Sequence, residues 1–290
     1  MLGRCEIEAL VYRPCRLPLS WACVLMLVFM FGTIPNSYSG EATRGASQGK
    51  VTYLGNEALL IQSGEVKLLF DPFFHRDYGY YQLVPDQMRT DIFEGKAPFN
   101  NINAIFVSHA HGDHFSADDM MMYLQRWPNV HLYAPAQAVR SLRMQAGFES
   151  VVAKVTGVSL EFGDPVWRLR QGKLEIDAVR IPHSGWPARA KVENIVFRVK
   201  VDKEIMVTHL GDADANVDHY LRYRDHWHEE PTDVAFPPYW FKGNPTGHKI
   251  LHEYMNAKRA IGIHVPRKVP PQLKSSGEEF FSRPGEEAEI

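Results

Sequence analysis

The segment at residues 108–115 constrains the fold of this chain more than any other stretch of its sequence. It places four potential metal ligands within six residues, namely His109, His111, Asp113 and His114. The apolar residues 104–107 before it predict a buried strand, and the polar residues 116–119 after it predict the capped start of a helix. Because alternate side chains of an extended chain share one face, His109 and His111 are expected to bind the same ion.

Three further candidate ligands follow downstream, each directly after a short apolar run. They are His183, Asp212 and His264. Such runs predict strands, and the ends of strands are where sheet proteins gather functional groups. Neutral imidazole and carboxylate ligands suit zinc, and also manganese or iron. The sequence therefore predicts bound divalent metal, with zinc preferred over manganese or iron.

This order of ligands resembles that of the metallo-β-lactamase superfamily of metallohydrolases. The resemblance covers about residues 50–266 and includes two opening hairpins, at residues 53–61 and 67–72. It implies an α/β fold, a four-layered αββα sandwich of two mixed β-sheets flanked by helices. It also implies one ion held by His109, His111 and His183, a second held by Asp113, His114 and His264, and a bridge between them through Asp212.

Details of the ligand set favour one branch of that superfamily. Enzymes that hydrolyse β-lactam antibiotics often use a cysteine ligand, and this chain has no cysteine after Cys23. Flavodiiron oxidoreductases usually carry glutamate where His111 stands. The hairpin and Asp212 look most like the branch of ascorbate-6-phosphate lactonase and N-acyl-phosphatidylethanolamine phospholipase D, although Asn56 stands where many members of that branch have histidine.

The predicted function is that of a binuclear metal-dependent hydrolase. Two adjacent divalent ions lower the pKa of a shared bridging water to give hydroxide near neutral pH, and they polarise the bond under attack. An ester, lactone or phosphodiester bond of a small molecule is the expected target, with Asp113 and Asp212 as the catalytic carboxylates. The alternative is an iron-dependent dioxygenase of the same superfamily.

The first forty residues differ in character from the rest. An apolar stretch at residues 21–31 follows several arginines and precedes small residues, which is typical of a signal peptide at residues 1–40. The alternative is a membrane anchor at residues 17–34. We therefore expect export to the periplasm or the exterior, a hydrolase domain at residues 50–290, and membrane contact only through an uncleaved N-terminal segment.

Composition adds one exclusion. The net charge of −2 provides no basic surface of the kind that binds nucleic acid, so a small-molecule substrate is the expected partner. A hydrophobic content of 45% is sufficient for a large core.

Hydrophobic patterns predict the following elements. The strands are predicted at 51–55, 58–62, 66–70, 104–107, 130–133, 151–155, 166–169, 174–181, 193–201, 204–208, 233–236 and 260–263. The helices are predicted at 116–126, 136–146 and 247–258, and the tail from Pro270 is expected to be a loop with at most a short terminal strand.

Other side chains are candidates for supporting roles. Two aromatic loops, at residues 73–81 and 236–241, are candidate pocket walls. Asp71 is a candidate to orient a ligand histidine from behind. Three cations are candidates to neutralise an anionic substrate, namely Arg76, Lys242 and His248. Three histidines are assigned to a solvated helix and loop instead, namely His219, His226 and His228.

Overall fold

The computed structural model describes residues 49–290. The predicted signal peptide and the alternative anchor lie outside these described residues. Within them, no helix combines the length and the apolar character that crossing a membrane requires.

Two mixed β-sheets form the centre of this region. Their strands are β1 Lys50–Gly55, β2 Ala58–Ser63, β3 Val66–Phe70, β4 Ala104–Phe106, β5 His131–Pro135, β6 Val155–Val158, β7 Trp167–Gln171, β8 Leu174–Arg180, β9 Ile195–Val201, β10 Ile205–His209, β11 Thr232–Phe236, β12 Ala257–Ala260 and β13 Glu287–Glu289. The first sheet has the order β13-β1-β2-β3-β4-β5-β6 and the second the order β12-β11-β10-β9-β8-β7. Antiparallel hairpins join β1 to β2 and β2 to β3, as the resemblance implied.

Helices cover the outer faces of both sheets. They are α1 Asp86–Glu94, α2 Ala117–Arg126, α3 Ala136–Arg143, α4 Asp218–Leu221, α5 Arg224–Glu229, α6 Pro245–Lys249 and α7 Pro271–Ser275. Helix α2 begins where the sequence predicted, because the side chain of Ser116 accepts a hydrogen bond from the Asp119 backbone N–H.

The alternation of side chains along β2 shows how the layers form. Leu59 and Ile61 enter the core between the two sheets, together with Phe197 and Val207 of the second sheet. Leu60 faces the other way and packs in the core beneath α2 and α3. A third core lies between the outer face of the second sheet and helices α4 to α6. The predicted four-layered αββα sandwich is confirmed.

Strand direction brings the predicted ligands to one edge of each sheet. In the second sheet β8 and β10 are both antiparallel to β9, and β10 to β12 are parallel to one another. The carboxyl ends of β8, β10 and β12 therefore lie at the same edge, and His183, Asp212 and His264 follow these ends. The segment at residues 108–115 follows β4 of the first sheet.

One predicted strand is wrong. Residues 151–155 form a tight helical turn, Val152–Lys154, and the strand begins only at β6. The turn buries Lys154, whose Nζ donates hydrogen bonds to the Leu124 carbonyl and, at 2.9 Å, to the Trp127 carbonyl at the end of α2. The carbonyls at a helix end have no partner within the helix, and Lys154 satisfies two of them only when residues 152–154 form the turn. These hydrogen bonds favour the turn over an extended strand.

The predicted helix at 247–258 is also wrong in its second half. Helix α6 passes into a single wide π-type turn, Ile250–Tyr254, and Asn256 takes a left-handed φ of 52°. Residues from Ala257 onward instead form β12, so the strand predicted at 260–263 lies further toward the N-terminus. In the C-terminal tail, β13 pairs with β1 as the predicted terminal strand, and the short helix α7 precedes it.

Candidate metal centre

The turn after β4 sets the direction of the first four candidate ligands. The carbonyl of His111 accepts hydrogen bonds from the backbone N–H groups of His114 and Phe115, at 3.0 and 2.9 Å. This closes a turn through Asp113, and helix α2 starts immediately afterwards. The segment is thus fixed between a buried strand and a capped helix.

The first group of side chains contains His109, His111, His183 and Asp212, each of which presents a ligand atom within 4.8 Å of the others. Nε2 of His109 lies 3.1 Å from Nδ1 of His111. Nε2 of His183 lies 3.1 Å from Oδ2 of Asp212. Three imidazoles and one carboxylate oxygen around one point match the donor set of a transition-metal ion.

The second group lies beside the first. His264 Nε2 is 2.9 Å from Oδ1 of Asp212 and 3.7 Å from Oδ2 of Asp113. His114 Nε2 is 3.5 Å from the same two carboxylate oxygens. The structure therefore brings together all seven side chains that the sequence predicted as ligands, in two overlapping groups.

Asp212 belongs to both groups. Its Oδ2 faces His109 and His183, and its Oδ1 faces His114 and His264. Gly211 makes this position possible, because a Cβ there would lie 2.4 Å from Oδ1 of Asn194 and 2.7 Å from Cβ of Ser108. Its φ of 56° is likewise one that glycine adopts without strain.

The protonation states of His109, His111 and Asp212 fit metal binding. Burial and the neighbouring His114 lower the pKa of His109 well below its usual value, and burial lowers the pKa of His111. Burial alone raises the pKa of Asp212, but His264 and His114 overcome this and hold it well below its usual range. Two neutral imidazoles and an ionised carboxylate are the ligand forms that divalent metals require. Burial lowers the pKa of His114, but Asp212 and the other neighbouring carboxylates outweigh this and raise it well above its usual value, so a metal ion bound there would displace a proton.

Buried atoms without hydrogen bonds point to the same use. Nδ1 of His264 and Oδ1 of Asp113 make none, and the close contacts of His183 Nε2 and His264 Nε2 with Asp212 lack hydrogen-bond geometry. Leaving buried polar groups unpaired costs free energy, so a native chain that keeps several of them together needs a ligand for them. The donor set fits divalent metal ions.

A second set of contacts holds the ligands from behind. Nδ1 of His183 contacts the carbonyl of Ser184 at 2.7 Å, and Nδ1 of His109 contacts Oγ of Ser108 at 3.0 Å. Asp71 accepts hydrogen bonds from the backbone N–H of Ser108, at 2.7 Å, and lies 2.9 Å from Nδ1 of His114. Asp71 thus lies where a carboxylate that orients a ligand histidine from behind is expected, which is the role predicted for it from the sequence.

Two buried residues in the turn before β2 support the ligands; the sequence marked Asn56 only as a departure from the branch and contained no signal for Glu57. Nδ2 of Asn56 donates to the carbonyl of Asp113 at 2.9 Å, and its own carbonyl accepts from the backbone N–H of His264 at 2.8 Å. Asn56 therefore ties together two ligand-bearing loops. Glu57 is fully buried with both carboxyl oxygens unpaired, and Oε2 lies 3.8 Å from His114 Nδ1. Burial raises its pKa well above the usual value, although His114 opposes this.

A cavity of about 450 Å³ opens over the two groups. It is lined by Tyr78, Tyr80, Tyr81, His111, Asp113, Arg189, Asp212 and His264. The ring of Tyr81 packs edge-on against His264, with 4.0 Å between ring centroids. Burial and the nearby Asp212 raise the pKa of Tyr81, so its hydroxyl stays protonated and able to donate a hydrogen bond.

The two aromatic loops divide between this cavity and the core. The tyrosines of the first loop line the cavity, whereas Phe73 and Phe74 are buried in the core. In the second loop Trp240 packs against His264, with 5.4 Å between centroids, whereas Phe241 is a core residue.

The three predicted cations lie elsewhere. Lys242 and His248 both pair with Glu278, at 2.7 Å, and neither lines the cavity. Arg76 is exposed, and its side chain lies across Gly112 rather than in the cavity lining. The cation that does line the cavity is Arg189, which stands in a loop without any motif and was missed.

The expectation of a solvated surface is wrong for two of the three excluded histidines. His219 and His226 are only 5% and 6% exposed. His219 lies beside Phe162 and Trp186, and His226 accepts a hydrogen bond from Arg168. Short helices fold over the second sheet there, which an isolated charged stretch does not reveal. Neither histidine belongs to the two ligand groups.

Comparison with known proteins relates this fold to one family. The model of a family described as "Beta-lactamase superfamily domain" matches residues 50–257. A UPF0173 metal-dependent hydrolase of Alkaliphilus metalliredigens is 35% identical over 68 residues, which are 23% of this chain and 24% of that protein. The chain thus spans about a quarter of the length of the curated relatives it matches.

Two solved structures share the fold. The metallo hydrolase Igni18 from Ignicoccus hospitalis superposes with a TM-score of 0.56 at 16% identity, over 84% of this chain and 98% of that one. A possible metal-dependent hydrolase from Veillonella parvula gives the same TM-score at 14% identity, over 84% of this chain and all of the other. At such identities the likeness concerns the fold alone, and the predicted branch stays a prediction.

Proposed function

The chain belongs to the family of β-lactamase superfamily domains, and on that premise we propose that it is a binuclear metal-dependent hydrolase. The observation that carries the proposal is the position of Asp212, whose two carboxylate oxygens face two different sets of histidines. A single metal ion would leave one of these two sets of histidines without an ion to bind.

The residues divide into two ligand sets. His109, His111 and His183 would hold one ion, and Asp113, His114 and His264 the other, with Asp212 shared. Two ions held this way would lower the pKa of a bound water and would supply positive charge to polarise the bond under attack. An ester, lactone or phosphodiester bond of a small molecule is the proposed target. The cavity supports this size class, because its volume of about 450 Å³ is that of ordinary small-ligand pockets.

The protein side chains have separate tasks in this proposal. Asp113 and Asp212 stay ionised beside the histidines and fix the distance between the two ligand sets. Tyr81 presents a protonated hydroxyl to the cavity, which suits hydrogen bonding to the oxygen that gains negative charge.

The test combines metal analysis with a substrate screen. Purified protein is stripped by a chelator, reloaded separately with zinc, manganese or iron, and assayed on lactones, p-nitrophenyl esters and phosphodiesters. We expect about two ions per chain and hydrolysis that disappears on stripping. Full activity of metal-free protein would refute the proposal, and one iron per chain with oxygen consumption would favour the dioxygenase alternative.

A further inference from the structure

We propose that Arg189 recognises an anionic group of the substrate, a carboxylate or a phosphate, at the rim of the metal cavity. This inference deepens the proposed function and rests on it. It assigns a negative charge to the part of the substrate that lies away from the bond under attack.

Arg189 is distinguished by its position and by its lack of partners. It is the one arginine or lysine that lines the cavity within residues 49–290. Its guanidinium makes no hydrogen bond or ion pair with any other described residue, although Arg267, near the same cavity, pairs with Asp77 at 2.8 Å. All five of its N–H donors are therefore available to a ligand.

The backbone around Arg189 is held in place. The preceding strand ends with Arg180, a buried arginine whose Nη2 donates to the carbonyl of Ala190 at 3.0 Å. The backbone N–H of Arg189 donates a hydrogen bond to the carbonyl of Gly185 at 3.3 Å. The carbonyl of Arg189 accepts one from the backbone N–H of Val192 at 3.0 Å. A cation on an ordered backbone loses less entropy when it binds a ligand than one on a mobile loop.

The charges around the cavity favour an anion. The carboxylates that line it are Asp113 and Asp212, and both belong to the ligand sets. Two divalent ions would bring four positive charges against these two negative ones, to which Arg189 adds a fifth. The remaining walls are two ligand histidines and three tyrosines, whose hydroxyls are donors. An anionic substrate group would therefore meet attraction at the ions and at the rim.

The chemistry of guanidinium narrows the ligand class. Its planar fork of donors matches the paired oxygens of carboxylate and phosphate. Carboxylate and phosphate both place two oxygens against the guanidinium group. The experiment therefore tests a substrate of each kind.

The kinetic test uses three esters with the same leaving group. They are p-nitrophenyl acetate, which is neutral, mono-p-nitrophenyl glutarate, which carries a carboxylate, and p-nitrophenyl 4-phosphonobutanoate, which carries a phosphonate. Arg189→Met should lower kcat/KM for the preferred anionic ester about 10- to 100-fold more than for acetate, as expected for a charged hydrogen bond. The arm with the larger loss identifies the anion.

Lys191→Met is the matched control. Lys191 is exposed on the same loop and carries the same charge, but it does not line the cavity. The control should preserve the preference for the anionic ester. An equal loss for all three esters in Arg189→Met, or the same loss of preference in Lys191→Met, would overturn the proposal.

A binding experiment separates this inference from the proposed function. Zinc-loaded protein is titrated calorimetrically with glutarate and with phenylphosphonate, neither of which is hydrolysed. Arg189→Met should weaken the binding of one of them about tenfold or more at unchanged zinc content. If no ester is hydrolysed but this difference is found, the hydrolase proposal fails and the anion site stands. Equal affinities of the wild type and Arg189→Met for both anions would refute the anion site itself.

Discussion

Oδ2 of Asp71 lies 2.9 Å from Nδ1 of His114, while Nε2 of the same ring faces Oδ1 of Asp212 at 3.5 Å. The carboxylate behind the ring therefore holds the proton of His114 on Nδ1 and leaves Nε2 free to bind a metal. Asp71 is itself fixed by the backbone N–H and the hydroxyl of Ser108, at 2.7 and 2.5 Å. Ser108 directly precedes the ligand His109, so one carboxylate orients both ligand sets.

The first prediction concerns Asp71→Asn. The variant keeps the size of the side chain but loses the charge that fixes the ring of His114. Metal affinity of the second ligand set should fall about 10- to 100-fold, the usual effect of removing such a partner. Competition with a chromogenic chelator measures it. As a control, Asp118→Asn alters an exposed carboxylate in the first turn of α2 and should leave the affinity unchanged.

The second prediction tests the assignment of the first ligand set. His109→Ala removes a fully buried imidazole 3.1 Å from His111, and we expect loss of about one metal ion per chain together with loss of turnover. Mass spectrometry of the native protein counts the ions. His248→Ala is the matched control, because His248 is exposed and pairs with Glu278 away from the cavity. Equal metal loss in both variants would contradict the assignment.

The third prediction concerns pH and a histidine outside the site. Burial, Arg198 and Arg168 lower the pKa of His226 to about 4, whereas its ordinary value is 6.5. In the unfolded chain the imidazole takes up a proton as the pH falls below about 6.5, but in the folded chain it does so only near 4. The free energy of unfolding should therefore decrease as the pH falls through this interval.

His226→Gln provides the comparison, since glutamine does not titrate. Urea unfolding of both proteins at several pH values between 6.5 and 4, at the same metal content, should give a steeper loss of stability for the wild type. Parallel curves would mean that the pKa of His226 is the same in the folded and the unfolded protein, and would contradict the prediction.

Much of the metal centre could be predicted because its signal is local. Four of the ligands lie within residues 109–114, and the strand before them and the capped helix after them are short-range patterns. The other three ligands each follow an apolar run, and the runs before His183 and Asp212 form strands, whereas the run before His264 follows directly after β12. The ends of these strands lie at one edge of a sheet, so ligands that follow them in the chain lie close together in the fold. The order of the ligands along the chain therefore largely specifies the site.

What the sequence did not reveal depends on distant contacts. Glu57 is an ordinary charged residue in a turn until folding places it 3.8 Å from His114. Arg189 becomes a cavity residue through the loop that Arg180 anchors. Helix α1 was missed because it buries only Ile92, so its apolar periodicity is weak. Lys154 turns a predicted strand into a helical turn by bonding to the end of α2.

The last prediction concerns Asp212→Asn. The substitution preserves the shape of the side chain, but the amide has no charge and offers only one oxygen to the two ligand sets. In the wild type Oδ2 lies 3.1 Å from His183 and Oδ1 lies 2.9 Å from His264. With one of these oxygens replaced by an NH₂ group, one ion should be bound much more weakly or lost, and turnover should fall at least about a hundredfold, since the Lewis acidity of the second ion contributes several kcal/mol.

His183→Ala distinguishes this bridging role from that of a simple ligand. It removes an imidazole from the first set alone, so it should empty that set and leave the second ion in place, held by Asp113, His114, His264 and Asp212. Metal content by mass spectrometry is measured beside turnover on the substrate that the screen finds. If Asp212→Asn retains both ions and near-normal turnover, then Asp212 does not bridge them, and the binuclear mechanism loses the observation on which it depends.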